Sequence, residues 1–222
     1  MLNVLMLRHS AGFEHSYLPH AEVALKEIGK ASGDFQCATT HRCDRVNAKN
    51  LADIDVLVFA TTGELPMDDE QKKAMLNWIS SGKGFVGIHN ATDTFYEWPE
   101  YGEMIGGWFN GHPWTQEVKV KVEDNAHPAT KHLQDGFAVY DEIYVHKNWD
   151  RSKTHVLLSL DNDSVDISKG NRDDQDYGLA WCHPYGEGRV IYTAFGHPDD
   201  LWSEDWFRKH LLGCIRWAGK MD

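Results

Sequence analysis

The sequence predicts an α/β protein built on a doubly wound, mostly parallel sheet, and three observations carry that expectation. Residues 2–8 (LNVLMLR), 54–61 (IDVLVFAT), 84–88 (GFVGI) and 189–195 (RVIYTAF) are apolar runs without helical period. This is the pattern of strands covered on both faces. Segments 16–30 and 68–80 separate the first of these runs and carry helical spacing. The resulting β-α-β-α-β order with short connections selects a parallel sheet with right-handed crossovers. Polar residues then gather just beyond the ends of the apolar runs, where open α/β sheets bind their ligands.

Along the chain, the first run gives way to the loop Arg8–His15, with Gly12 for a tight turn. Helix 16–30 shows an apolar stripe of Leu18, Val23, Ala24, Leu25 and Ile28, broken by Gly33-Asp34. A short strand is expected at 35–39. After the strand at 54–61, Thr62-Gly63-Glu64 opens a loop. Helix 68–80 places Asp68 and Asp69 in its first turn, where they suit the macrodipole, and Gly82 stops it. The strand 84–88 follows and delivers His89 at its end. Residues 93–115 are rich in aromatics and glycines, with a short helix near 99–106. Further strands are expected at 118–122, 137–144, 155–160 and 176–182. The turn Tyr185–Gly188 leads into the last strand, which ends at Gly196-His197-Pro198-Asp199-Asp200, and a helix over 205–218 closes the chain. No repeat, low-complexity tract or linker divides the sequence, so one domain over 1–222 is expected.

A net charge of −12 argues against a nucleic-acid partner, since backbone phosphates demand a basic face. A neutral or cationic small molecule fits better. Cys37, Cys43, Cys182 and Cys214 show neither zinc-ribbon spacing nor a disulfide framework. The N-terminus lacks a signal-peptide pattern and no run approaches a membrane span. The expectation is a cytoplasmic protein without a membrane partner; homo-oligomerisation is left open.

Chemistry centres on the stretch from Gly82 to Asp93, which presents His89 at a strand-to-turn junction of the nucleophile-elbow kind. His9, His15, Glu64, Asp93, His197 and Asp199 also fall at strand ends and would share its rim. Histidine suits acid–base work because it titrates near neutrality, and Asp93 or Glu142 could orient an imidazole. The same residues could instead hold a divalent metal, Zn or Mn, through ligands assembled across loops, since no HExxH pair is present. The bland reading is that thirteen histidines have to lie somewhere; His41, His127 and His132 are assigned to it. Neither a cysteine nucleophile nor a GxSxG motif nor a phosphate-cradling loop is indicated. The nine tryptophans allow sugar stacking, though most are better read as core.

The stretches Gly12-Phe-Glu-His15, Lys83 to Asp93, Gly106-Gly-Trp-Phe-Asn-Gly-His112-Pro, Asp141-Glu142-Ile-Tyr, Trp181, Tyr185-Gly-Glu-Gly-Arg-Val-Ile-Tyr and Gly196-His197 follow one another in a consistent order. In this the chain resembles the trehalose-utilisation (ThuA-like) family, within the class I glutamine amidotransferase-like superfamily. The resemblance implies a flavodoxin-like three-layer α/β/α sandwich. It also implies a departure: where amidotransferases carry a nucleophilic Cys in Gly-x-Cys-x-Gly, this chain has Gly87-Ile-His89-Asn-Ala91, so thioester glutaminase chemistry is not supported.

The expected function is a carbohydrate-metabolising enzyme acting on a sugar, glycoside or keto-sugar by hydrolysis, lyase cleavage or isomerisation. The competing class is a non-catalytic sugar-binding or regulatory module. His89, His197, Asp93 and Glu142 are the expected catalytic residues; His15, His112, Trp108, Trp181 and Asn90 are the expected substrate contacts. On a 3-keto-glycoside, His89 would act as base and His197 as acid or carbonyl polariser, a role a metal could take over.

Overall fold

The four runs read as continuously apolar are the ones that lie in the middle of the sheet. They are β1 (Leu2–Leu7), β3 (Val56–Phe59), β4 (Gly84–Ile88) and β11 (Gly188–Thr193), covered on both faces by helices. The structure is a computed structural model that describes residues 1–134 and 136–221. The remaining elements are α1 (Leu18–Ser32), β2 (Phe35–Thr40), α2 (Ala48–Leu51), α3 (Asp69–Ser80), α4 (Pro99–Ile105), β5 (Trp108–Phe109), β6 (Trp114–Val122), β7 (Gly136–Ile143), β8 (His146–Lys147), β9 (His155–Leu160), β10 (Gly178–Tyr185) and α5 (Asp205–Ala218).

Nine strands form one sheet in the order β2-β1-β3-β4-β11-β10-β9-β6-β7, and β5 pairs with β8 as a separate ribbon. The first five run parallel, and β10, β9, β6 and β7 alternate in direction. The sheet is therefore mixed, with β9 and β7 pointing the same way as the parallel set. Helices cover both faces, as two glycines show. A Cβ on Gly84 would lie 2.5 Å from the Ala218 carbonyl of α5, and one on Gly188 would lie 2.0 Å from the Ile79 carbonyl of α3. Gly84 pairs with Arg189, the neighbour of Gly188, so these contacts lie on opposite faces, and the α/β/α sandwich follows.

Local chemistry explains the helix boundaries. Proline occupies the first turn of α1 and of α4, where its missing N–H costs nothing. Asp68 and Gln71 form a reciprocal capping box at the start of α3. Gly33 and Gly106 end α1 and α4 in the left-handed conformation, at φ 73° and 99°. Among the features outside the sequence expectation are α2, the β5–β8 ribbon, and the first four residues of β6. β6 begins at Trp114, four residues before the expected start at 118, because Gln116 breaks the apolar alternation although the period-two burial continues through it. No helix among the described residues is long and apolar enough to cross a membrane.

The antiparallel half does not lie flat. β7 is the edge strand, four places from β11, which in a flat sheet is about 19 Å. Yet the Asp141 carboxylate of β7 accepts hydrogen bonds from the backbone N–H of Gly196 (2.9 Å) and of His197 (3.1 Å), just past β11. The open end of the β6–β7 hairpin therefore curls over the rim and closes the space above His89.

Candidate functional site

His89 follows Ile88 at the end of β4 and starts a single turn of 3-10 helix, His89–Thr92. Its φ of 44° is in the left-handed region, which a side-chain-bearing residue adopts only when its surroundings enforce it. The enforcement is visible: the Tyr192 hydroxyl donates to the His89 carbonyl (2.7 Å), and Tyr101 donates to that of Ala91 (2.8 Å). Gly87 is tightly enclosed, since a Cβ would sit 3.0–3.2 Å from Ile105, Tyr192 and Ala91 and would press them outward. The elbow is thus a packed feature of the fold, and it holds a histidine that is 0% exposed.

Four side chains converge there. One ligand atom from each of His15, His89, Glu142 and His197 lies within 4.8 Å of the other three. His89 and His197 come from the ends of β4 and β11, His15 from the loop after β1, and Glu142 from the curled end of β7. The Glu142 oxygen Oε2 is 3.2 Å from His197 Nδ1 and 3.6 Å from His89 Nε2, and Oε1 is 3.3 Å from His112 Nδ1. Both His89 Nε2 and His197 Nδ1 are buried without an aligned hydrogen-bond partner. The tautomer of His89 is set from behind: Nδ1 lies 2.7 Å from the Ala194 carbonyl, which can only accept. Nε2 of the neutral ring therefore turns a lone pair toward a carboxylate oxygen, and the two repel unless a proton or a metal ion lies between them.

These residues fit a divalent first-row metal. Donor atoms around such an ion lie about 3.4 Å apart in tetrahedral and up to about 4.2 Å apart in octahedral geometry. The Glu142 spacings to His197 and His89, 3.2 and 3.6 Å, bracket the tetrahedral value, and separations of up to 4.8 Å would have to contract by about 0.6 Å to reach the octahedral limit. Three imidazoles and one carboxylate suit Zn or Mn. His15 is held by a second layer in which Asn90 lies between the Tyr17 hydroxyl (2.7 Å) and His15 Nδ1 (3.2 Å). With its NH2 toward His15, the amide leaves the ring proton on Nε2. Turned over, it accepts from Nδ1–H and frees Nε2 for a metal, at no change in shape.

The electrostatics match the crowding. Burial, with the neighbouring His89 and His197, lowers His15 to about 4. The Glu142 carboxylate holds His197 above the ordinary imidazole value against the ring's partial burial. Burial alone would raise Glu142, but His197 and His89 reverse this and keep it well below the usual carboxylate range. The cluster therefore retains a carboxylate anion throughout the neutral range.

The sequence-predicted residues divide. His15, His89, Glu142 and His197 meet, and His112 reaches the outer oxygen of Glu142 from a half-exposed position. Asp93 does not pair with His89; its carboxylate accepts from the Tyr96 hydroxyl (2.6 Å), and burial raises its pKa. Asn90 is fully buried behind His15, so it orients a ligand rather than meeting substrate. Trp181 is 0% exposed and donates to the Ile105 carbonyl, which makes it core. Trp108 lies on Gly102 and donates to the Phe95 carbonyl. It faces a separate cavity of about 540 Å³ rather than the histidines. Among the other rim residues, His9 turns to the His41 carbonyl, Glu64 accepts from the Glu97 N–H, and Asp199 takes the Ser16 hydroxyl.

The walls come from aromatics that sequence reasoning passed over. Tyr144 packs 4.2 Å from both His89 and Phe109, ring centre to ring centre, and its hydroxyl is 3.5 Å from His15 Nε2. Phe109 and His112 stack at 5.9 Å, and Phe13, 68% exposed, stands edge-on to His15 at 4.9 Å. Tyr144 was within reach of the sequence, since it closes the Asp141-Glu142-Ile-Tyr stretch. Cys182 is not a nucleophile: burial pushes its thiol up to about 12.

The fold is thus an α/β/α sandwich with a histidine at the turn after β4 and a His/Glu cluster above it. The chain belongs to the ThuA family, described as trehalose utilisation, whose profile matches residues 3–218. Among solved structures, it is similar to a ThuA-like protein of Bacteroides uniformis ATCC 8492, with 24% identity, 98% of this chain and 91% of that chain covered, and a TM-score of 0.78. A ThuA-like protein of Parabacteroides merdae ATCC 43184 aligns with 17% identity over 100% of this chain and 91% of that chain, at a TM-score of 0.77. A protein of Salmonella typhimurium LT2 titled a cytoplasmic protein aligns at 12% identity over 98% and 99% of the two chains, at a TM-score of 0.66. No protein with a curated description matches the chain at a significant level.

Proposed function

We propose that this chain is a cytoplasmic enzyme acting on a sugar, glycoside or keto-sugar at a divalent-metal centre held by His15, His89, Glu142 and His197. The observation that carries the reading is the buried Nε2 of His89 and the buried Nδ1 of His197, both turned toward Glu142 Oε2 without an aligned hydrogen bond. The family description supplies the carbohydrate, and the aromatic rim of Phe13, Phe109 and Tyr144 supplies faces on which a sugar ring can stack. When bound, the metal would supply Lewis-acid polarisation of a substrate carbonyl or hydroxyl oxygen.

The chain's own residues then take the proton work. On a keto-sugar the proton beside the carbonyl is acidic, and cleavage at the neighbouring glycosidic oxygen needs a base and an acid. With His89 engaged as a ligand, His112 is the proton carrier, because it stands at the mouth with Nδ1 against Glu142 Oε1. The Tyr144 hydroxyl, with only a 3.5 Å contact to His15, is free to donate to a substrate oxygen. The buried side of the site, walled by His89 and Tyr144, excludes water from the reacting face.

Turnover of a panel of oxidised and unoxidised disaccharides by wild type, His89→Ala and His112→Gln tests the reading. His89→Ala should lose both the metal and at least ~10²-fold in turnover, whereas His112→Gln should keep the metal and lose about 10²-fold. Ligand binding without turnover anywhere in the panel would instead make this a sugar-binding module.

A further inference from the structure

We propose that Asp141 is the positioning residue that assembles the metal site, by latching the curled end of the β6–β7 hairpin onto the loop after β11. The inference rests on the metal reading above and concerns how the carboxylate ligand is delivered. Three of the four ligands come from the parallel half or its loops, so the sheet itself brings them together. Glu142 comes from the edge strand, five places from β4, and pairing within the sheet would leave it far from His89. Something has to hold the hairpin over the rim.

Asp141 has the geometry for this. Its Oδ2 accepts from the Gly196 N–H at 2.9 Å, and its Oδ1 accepts from the N–H groups of His197 at 3.1 Å and Glu142 at 2.7 Å. One carboxylate thus ties together the backbones of two ligands, His197 and Glu142. Successive strand residues point to opposite sides, so Asp141 sits behind the site while Glu142 enters it. Asp141 is fully buried, and among the described residues no lysine or arginine pairs with it. Burial opposes the charge of this carboxylate, and the neighbouring His89 together with the three backbone amides offsets that cost. Gly196 makes the contact feasible, because its φ of 133° turns the N–H toward β7 and suits glycine alone.

An amide cannot replace this carboxylate. Asparagine offers one oxygen and would set an NH2 against at least one of the three N–H donors. Outer residues that orient metal ligands typically change metal affinity by about 10–100-fold when altered.

The test uses the full chain, with Zn(II) and Mn(II) themselves as probes in competition with a chelator. Asp141→Asn should bind the metal about 10–100-fold more weakly than wild type. Amide exchange should show Gly196 and His197 protected in wild type and fast in the variant. Asp141→Glu, which keeps charge and acceptors but adds a methylene, is the second variant and should shift both readouts the same way. Val58→Ala, in β3 of the parallel half, should lower stability without changing metal affinity. Wild-type metal affinity and wild-type amide protection in the Asp141 variants would overturn the latch and leave the metal reading standing. Wild type that binds neither metal would overturn the metal reading, and the latch with it.

Discussion

The two halves of the sheet do different work. The parallel half, β2 to β11, is a self-sufficient scaffold whose strands run into helices and whose carboxyl ends present His89 and His197. The antiparallel half, β10 to β7, curls back to provide Glu142, Tyr144 and the Asp141 latch. The difference teaches where such a site is vulnerable. Altering the scaffold should change stability and leave the site chemistry intact, whereas altering the curl should move the site itself.

The largest stability effect is expected on the curled side. Trp181 of β10 is fully buried against Ile105, Trp149 and Tyr192. Trp181→Ala should cost about 3–5 kcal/mol in denaturant unfolding and should also weaken metal binding, because β10 joins the two halves. Loss of stability with unchanged metal affinity would break the comparison.

That comparison also describes what the sequence makes legible. The parallel half is readable because a strand covered on both faces shows as an apolar run: β4 falls where the sequence places it, and β1, β3 and β11 overlap the expected runs. His89, His197 and His15 follow from that, since strand ends share a rim. Glu142 is nameable as a carboxylate that could orient an imidazole, but its route to the site is not, for the curl that delivers it depends on one buried carboxylate and two backbone amides, which leave no periodic trace. Of the two carboxylates that could orient an imidazole, Asp93 does not, because proximity in sequence says nothing of direction: the turn after β4 sends it toward Tyr96. Trp181 and Trp108 look alike as sugar platforms in a sequence, and burial alone separates them from Phe13 and Phe109.

Acid sharpens the comparison, because the β5–β8 ribbon and α5 each hide a buried histidine. Burial lowers His146 of β8 to about 3 and His210 of α5 to about 4. Both folded values lie below the unfolded value near 6.5, so the unfolded chain binds protons first as pH falls. The stability these residues contribute is complete above pH ~6.5 and is lost as pH falls toward ~4, on the order of 3 kcal/mol for His210. His210→Gln should flatten the stability profile between those limits; an unchanged slope would remove His210 from the account.

The smallest effect is expected at the start of α3, on the scaffold. Asp68→Ala removes the capping box and should cost about 1 kcal/mol, with metal affinity at the wild-type level. A shift in metal binding from so remote a change would show that the halves are not separable.

Metal content measured by mass spectrometry after exhaustive dialysis, set beside turnover, tests the central claim most directly. Wild type should retain about one Zn or Mn per chain. Stripping the metal with a chelator should abolish turnover, re-addition should restore it, and His89→Ala should hold no stoichiometric metal. Fully active wild type without metal, or His89→Ala with wild-type metal content, would contradict the account.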